Sequence, residues 1–151
     1  MRIAIASDHA AFDLKGVLAA WLREAGHAVV DLGPQSDARV DYPDYGYALA
    51  KAVASGAAER GVALCGSGIG ISIAVNRNSA CRCARVSDPL SAQLAREHND
   101  ANVLALGARI IAEAMADEIL TLWLQTAFAG GRHQRRIEQI AEIERSERAG
   151  A

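Results

Sequence analysis

Cys65 closes an apolar run and stands directly ahead of Gly66-Ser67-Gly68-Ile69-Gly70. Alternating glycines let the backbone approach a ligand closely, and amides left bare in such a turn hold negative charge. One glycine would be explained by a tight strand-to-helix connection; three make that account the weaker one. The G-x-G-x-G spacing, after the third apolar run, is not the G-x-G-x-x-G of a dinucleotide turn, and no Gly-Lys-Ser/Thr follows. A thiol facing the start of the next helix is favoured as a thiolate, a base or a nucleophile. Cysteines are more often plain packing residues, and that reading is kept for Cys81 and Cys83, which have no such turn beside them.

Other groups suit the same chemistry. His98, followed by Asn99 and Asp100, precedes an apolar run, and a neutral imidazole among polar neighbours serves acid–base work near neutral pH. Taken alone it is more often a surface or capping residue. His9 beside Asp8 carries the same two readings, whereas His27 reads as structural. Arg132 and Arg136 lie four apart on one helix face, and with His133 and Arg135 they form a basic patch. Paired guanidinium forks fit a phosphate, although spacing alone favours a solvated face beside Glu138 and Glu142. Arg109 joins them if its loop meets that helix. Histidines and carboxylates do not recur at ligand spacing, so neither a metal nor another cofactor is expected.

The elements that must position these groups alternate short apolar runs with helical stretches. Strands are predicted at Arg2–Ser7, Ala28–Leu32, Gly61–Cys65, Cys81–Val86 and Asn102–Leu106. The first helix puts Leu14, Val17, Leu18, Trp21, Leu22 and Ala25 on one face and stops at Gly26. Further helices are expected at Tyr47–Ser55, after Gly70, at Asp88–Glu97, from Ile110 to about Phe128, and from Arg132 to about Arg148. The whole, residues 1–151, reads as one doubly wound α/β domain. It is a three-layer, Rossmann-like (flavodoxin-like) arrangement with a five-stranded parallel sheet and an extended C-terminal helix. Ile137, Ile140 and Ile143 form a narrow stripe on that helix, suited to a domain edge or to a second copy of the chain. In open α/β sheets ligands collect beyond the carboxyl ends of the strands. That rule assigns Asp8-His9, the Gly33–Asp44 loop, Cys65–Gly70 and His98–Asp100 to one region.

Composition narrows the function classes. A formal net charge of −2 supplies no basic field to recruit nucleic acid. No apolar stretch approaches the ~18 residues that cross a bilayer, and the first residues run straight into a strand with no signal peptide ahead. Three cysteines without a CxxC pair speak against a disulfide framework or a zinc site. A reducing cytoplasm is the expected compartment.

Five segments in order resemble the type B ribose-5-phosphate isomerases and their relatives, the galactose-6-phosphate isomerase subunits. They are Asp8-His9-Ala10, Tyr42-Pro43-Asp44-Tyr45, Cys65-Gly66-Ser67-Gly68-Ile69-Gly70, Glu97-His98-Asn99-Asp100-Ala101-Asn102-Val103 and Gly130-Gly131-Arg132-His133. The resemblance implies an aldose–ketose isomerase in which Cys65 moves a proton between C2 and C1 of an open-chain sugar phosphate. Amides around Gly66, Gly68, Ile69 and Gly70 would stabilise the enediolate. Ser67 would shuttle protons between oxygens, His98 would assist ring opening, and Asp8 would handle sugar hydroxyls. Asn99 would bond the enediolate, Tyr42 would contact the sugar, and His9, Arg109, Arg132 and Arg136 would hold the phosphate. A second branch of the family has a glutamate base six residues after the cysteine position; here Ile71 stands there. The resemblance also implies a homodimer, in some members a dimer of dimers, with His98, Asn99 and Arg109 reaching the neighbour's site.

Two departures bear on specificity: Ala11 where the family usually has glycine, and the less apolar stretch Ser79–Ser87. Ribose 5-phosphate is the favoured substrate, with allose 6-phosphate, galactose 6-phosphate or a tetrose phosphate as alternatives. A non-catalytic phosphate-binding module would need the glycine turn and arginines but not Cys65 or His98. A cysteine hydrolase would use Cys65 as nucleophile and trap a covalent intermediate.

Overall fold

The computed structural model describes residues 1–151. Strands β1 (Arg2–Ser7), β2 (Ala28–Asp31), β3 (Arg60–Cys65), β4 (Cys83–Arg85) and β5 (Val103–Gly107) form one parallel sheet in the order β2-β1-β3-β5-β4. This is a Rossmann-like layering in which the last two strands exchange the places they hold in the flavodoxin order. The helices are α1 (Phe12–Glu24), α2 (Tyr42–Ala54), α3 (Ile69–Val75), α4 (Pro89–Asn99), α5 (Glu113–Gln125) and α6 (Arg132–Gly150). A single 3-10 turn, His9–Ala11, lies between β1 and α1.

Strand alternation sorts the core into two layers. Ile3, Ile5, Val62, Leu64, Leu104 and Leu106 pack against α1, α4 and α5. Ala4, Ala6, Ala63, Cys65, Val103 and Ala105 face α2 and α3. The second face is built of small residues, so its helices sit close. A side chain at Gly46 of α2 would come within 2.8 Å of Ala74 in α3. The loop after β2 is braced by Lys15, whose buried ammonium donates to both Asp31 oxygens at 2.7 and 2.9 Å and to the Pro34 carbonyl at 3.0 Å.

Three boundaries differ from those the sequence suggests, each for a local reason. Helix α2 begins at Tyr42 instead of Tyr47, because Pro43 at the start of a helix gives up only an amide that has no partner there. Helix α5 waits until Glu113, since the amides of Ile110 and Ile111 first close a turn onto the Gly107 carbonyl. Strand β4 is three residues long. Side-chain amides take over the bonds of a longer edge strand: Asn76 exchanges two with the Cys83 backbone, and Asn102 Oδ1 accepts from Arg82 N–H.

Candidate active site

The chain moves from β1 outward to β2, then crosses back to β3 on the other side, so the topological switch lies between β1 and β3. At their carboxyl ends a cavity of about 330 Å³ is lined by Asp8, Tyr42, Cys65, Gly66, Ser67, Gly70, Arg109 and Ile110. Its floor is the turn after β3. The carbonyls of Cys65 and Gly66 accept from the amides of Ala108 and Arg109, each at 3.0 Å, and the Ser67 carbonyl accepts from Arg85 Nε at 3.1 Å. In a trans peptide the N–H lies opposite the C=O. Pinning three successive carbonyls therefore fixes the direction of the Gly66, Ser67 and Gly68 amides. Gly68 N–H points at Cys65 Sγ, 3.1 Å away. Gly68 sits at φ +75°, and a Cβ there would meet the Leu106 carbonyl carbon at 2.8 Å. Gly70 is glycine because the ring of Tyr42 lies where its Cβ would be, 2.6 Å from Tyr42 Cζ.

Cys65 is buried on the small-residue face, with Asp8 across the cavity at the end of β1. One oxygen of Asp8 accepts from Ala10 N–H at 3.0 Å, which caps the following turn. Ser67 Oγ accepts from Ile69 N–H at 3.2 Å and keeps its own proton free to donate. Ile69 itself is exposed, outside the cavity wall. His9 is turned to the loop after β2, with Nδ1 3.0 Å from the Val40 carbonyl and 3.3 Å from its amide. It does not line the cavity. Ile71, the position of the alternative glutamate base, is fully buried, as is Ala11 in the opposite core layer. The other thiols are packing groups: burial pushes Cys81 up to about 11 and drives Cys83 higher still.

His98 and Asn99 are elsewhere, which corrects the expectation that they lie at the carboxyl end of the sheet. Helix α4 leaves the carboxyl end of β4 and runs back, so its last turn, with His98 and Asn99, sits at the amino end, before β5 begins. There the His98 ring stacks on buried His133 of α6, and Arg132 and Arg136 lie exposed on the same first turns of α6. Burial, then His98, Arg132 and Arg136, hold the His133 imidazole below the usual histidine value, with Glu97 acting the other way. Arg109 is corrected in the opposite sense. It follows β5 at the carboxyl end, against Gly66 of its own chain, and belongs to the Cys65 cavity.

Two separate clusters result, a strand's length apart, roughly 16 Å at 3.3 Å per residue for the five residues of β5. The reading of the sequence missed Ile110 on the cavity rim, the His98–His133 stack and Arg85 under the turn. No group of three His, Cys, Asp or Glu side chains converges as metal ligands. No helix is long and apolar enough to cross a membrane.

Comparison with known proteins places this architecture. A family model described as Ribose/Galactose Isomerase matches residues 3–140. Ribose-5-phosphate isomerase B of Escherichia coli is 46% identical over 143 residues, 95% of this chain and 96% of that protein. D-erythrulose-4-phosphate isomerase of Pectobacterium atrosepticum is 41% identical over 150 residues, 98% of each. Among solved structures, ribose-5-phosphate isomerase B of Clostridium thermocellum superposes with a TM-score of 0.96 at 44% identity, covering 97% of this chain and 99% of that one. The Mycoplasma genitalium enzyme, solved with bound ribulose 5-phosphate, gives 0.91 at 38% identity, covering 95% and 96%. With a glycine turn beside a buried thiol in the switch-point cavity and relatives of this closeness along nearly its whole length, the chain is an isomerase that belongs to the ribose/galactose isomerase family, in its type B ribose-5-phosphate isomerase group.

Proposed function

We propose that the protein interconverts ribose 5-phosphate and ribulose 5-phosphate through an enediolate, with Cys65 as the base. The observation that carries this is Cys65 Sγ held beside amides whose directions are fixed by three tied carbonyls. The thiolate takes the proton from C2 of the open-chain aldose. The C–H electron pair becomes the C1–C2 double bond as the carbonyl pair moves onto O1. Amides of the turn stabilise that oxyanion where it develops. Ser67 carries a proton from O2 to O1, and the Cys65 thiol returns its proton to C1. Asp8 and Tyr42 orient the sugar hydroxyls, Asn99 bonds the enediolate, and His98 assists ring opening. Arg132, Arg136 and Arg109 hold the phosphate, and His9, which stands outside the cavity lining with Nδ1 taken up by Val40, adds to it through Nε2.

Because His98, Asn99, Arg132 and Arg136 sit at the opposite end of the sheet from Cys65, the reading includes a homodimer that sets one copy's amino end against the other's cavity. The half-exposed stripe Ile137, Ile140 and Ile143 supports it. With the β4 edge, that stripe borders a groove of about 570 Å³.

The test is turnover of ribose 5-phosphate in chelator-treated buffer, with loss of a C2 deuterium label to solvent followed alongside. Fast turnover with label loss supports the reading, and a covalent intermediate without label loss overturns it. The Pectobacterium relative favours one second reading, a tetrose phosphate substrate. Erythrulose 4-phosphate and allose 6-phosphate, run in parallel, decide between sugar lengths while keeping the chemistry.

A further inference from the structure

The peptide unit joining Ser67 to Gly68 has a charged partner on one side and the thiol on the other. Its carbonyl accepts from Arg85 Nε at 3.1 Å, and its N–H donates to Cys65 Sγ at the same distance. The guanidinium also donates from Nη1 to Ser87 Oγ at 3.2 Å, and no carboxylate pairs with it. Arg85 is half-buried on the short edge strand β4 and does not line the cavity. The same peptide is clamped from below. A side chain at Gly107 would come within 2.6 Å of the Ser67 carbonyl carbon and oxygen.

From this geometry we infer that Arg85 is a positioning residue that acts on Cys65 through the Ser67–Gly68 peptide, a role that rests on Cys65 being the base. A cation bonded to an amide carbonyl draws electron density toward oxygen and makes the opposite N–H a stronger donor, as hydrogen-bond chains do when they polarise one another. A stronger donor at Sγ favours the thiolate over the thiol. The bond also fixes the peptide plane. Were the unit to flip, it would turn a carbonyl onto the sulfur and remove an amide from the oxyanion floor. The titratable groups that line the cavity with Cys65 are Asp8 just after β1, Tyr42 from α2 and Arg109 from the loop after β5, with Arg85 reaching the thiol only through the backbone. Arg85 does not line the cavity, so it adds its effect without occupying substrate space.

The experiment follows alkylation of Cys65 by iodoacetamide, an uncharged reagent, across a pH series in the full-length protein. Peptide mass spectrometry separates Cys65 from Cys81 and Cys83. In Arg85→Met, the Cys65 alkylation rate at neutral pH falls several-fold, and the deficit closes at high pH where the thiol is ionised in both proteins. The turnover number falls about tenfold with KM nearly unchanged, less than the ~10²–10³-fold lost when an oxyanion donor is removed outright. Arg85→Lys, which keeps a cation able to donate to the Ser67 carbonyl, recovers most of both. Should Arg85→Met fail to fold by circular dichroism, Arg85→Gln, which keeps a donor but loses the charge, carries the same comparison. Wild-type alkylation at every pH in a folded, uncharged variant overturns the proposal. Alkylation needs no turnover, so its outcome is independent of which sugar phosphate the protein converts. Unimpaired turnover in Cys65→Ala would sink the base assignment and leave the effect of Arg85 on the thiol as measured.

Discussion

The His98 ring lies parallel to that of His133, with centroids 4.3 Å apart and planes 7° from one another. Two protonated imidazoles in that arrangement repel, and buried His133, held below the usual histidine value, gives half-buried His98 a flat backing. The stack is held by a backbone bond from the Ala129 amide to the Glu97 carbonyl, which ties the approach to α6 onto α4.

His133 sets a pH dependence of stability. His133 is depressed below 6.5 mainly by burial, as is His27, where burial, the N-terminus and Arg60 act together. As the pH falls through 6.5, the unfolded chain takes up protons that the folded one refuses. The contribution is therefore complete above 6.5 and is lost as the pH falls through the lower folded-state values. Thermal melts from pH 8 down to 5 are expected to show a falling midpoint. His133→Asn starts lower at pH 8 but declines less steeply. Equal slopes in the two proteins would remove His133 from the account.

The proposed homodimer, with its site shared between copies, predicts complementation. Cys65→Ala lowers turnover by about 10²–10⁴-fold, the usual worth of a proton-transfer group, and His98→Ala impairs reaction of the cyclic sugar. Unfolded together in equal amounts and refolded, the two variants recover about a quarter of wild-type activity, since half of randomly paired dimers carry one intact site of two. No recovery in a mixed dimer verified by mass would place His98 and Cys65 outside a common site.

Two glycines near the turn separate packing from catalysis. In Gly70→Ala the new methyl meets the ring of exposed Tyr42, which swings aside. Stability is expected to change by less than about 1 kcal/mol, with helix propensity favouring alanine. KM rises because the cavity rim is displaced. In Gly107→Ala the methyl meets the Ser67 backbone, which cannot yield, and the fold loses about 1–3 kcal/mol along with activity. Melting midpoints and KM measured on both variants test the contrast.

Arg136→Ala is expected to weaken phosphate binding by about 1–3 kcal/mol while the turnover number stays near wild type, the pattern for a lost charged hydrogen bond. Isothermal titration with a non-reactive sugar phosphate reads the first quantity and saturation kinetics the second. A turnover number that falls with KM constant would assign Arg136 to the chemical step.

Much of this is legible in the sequence because strand ends and glycine turns are local. The run from Gly61 to Cys65 followed by three alternating glycines marks both the third strand and the cavity floor. Tyr42 reads as a loop residue because Pro43 and Asp44 look like turn formers, although proline and an acidic residue are also what a first helical turn favours. His98 is misplaced because an αβ connection and a βα connection both read as polar residues beside an apolar run, while only the second lies at the carboxyl end. Arg85 leaves no signal. A charged residue on a short edge strand ordinarily faces water, and its contact with Ser67 arises only when β5 inserts between β3 and β4.

The uneven faces of the sheet give the protein two opposite vulnerabilities to mutation. Where Ile3, Ile5, Leu64 and Leu106 meet α1, α4 and α5, harm comes from making residues smaller, because a cavity opens. Where Ala4, Ala6, Ala63 and Ala105 meet α2 and α3, harm comes from making them larger, because those helices have nowhere to retreat. A saturation library would show mirror-image tolerance at adjacent residues of one strand. The face that forbids growth is also the one that carries Cys65, so the room left to the thiol is inherited from its alanine neighbours.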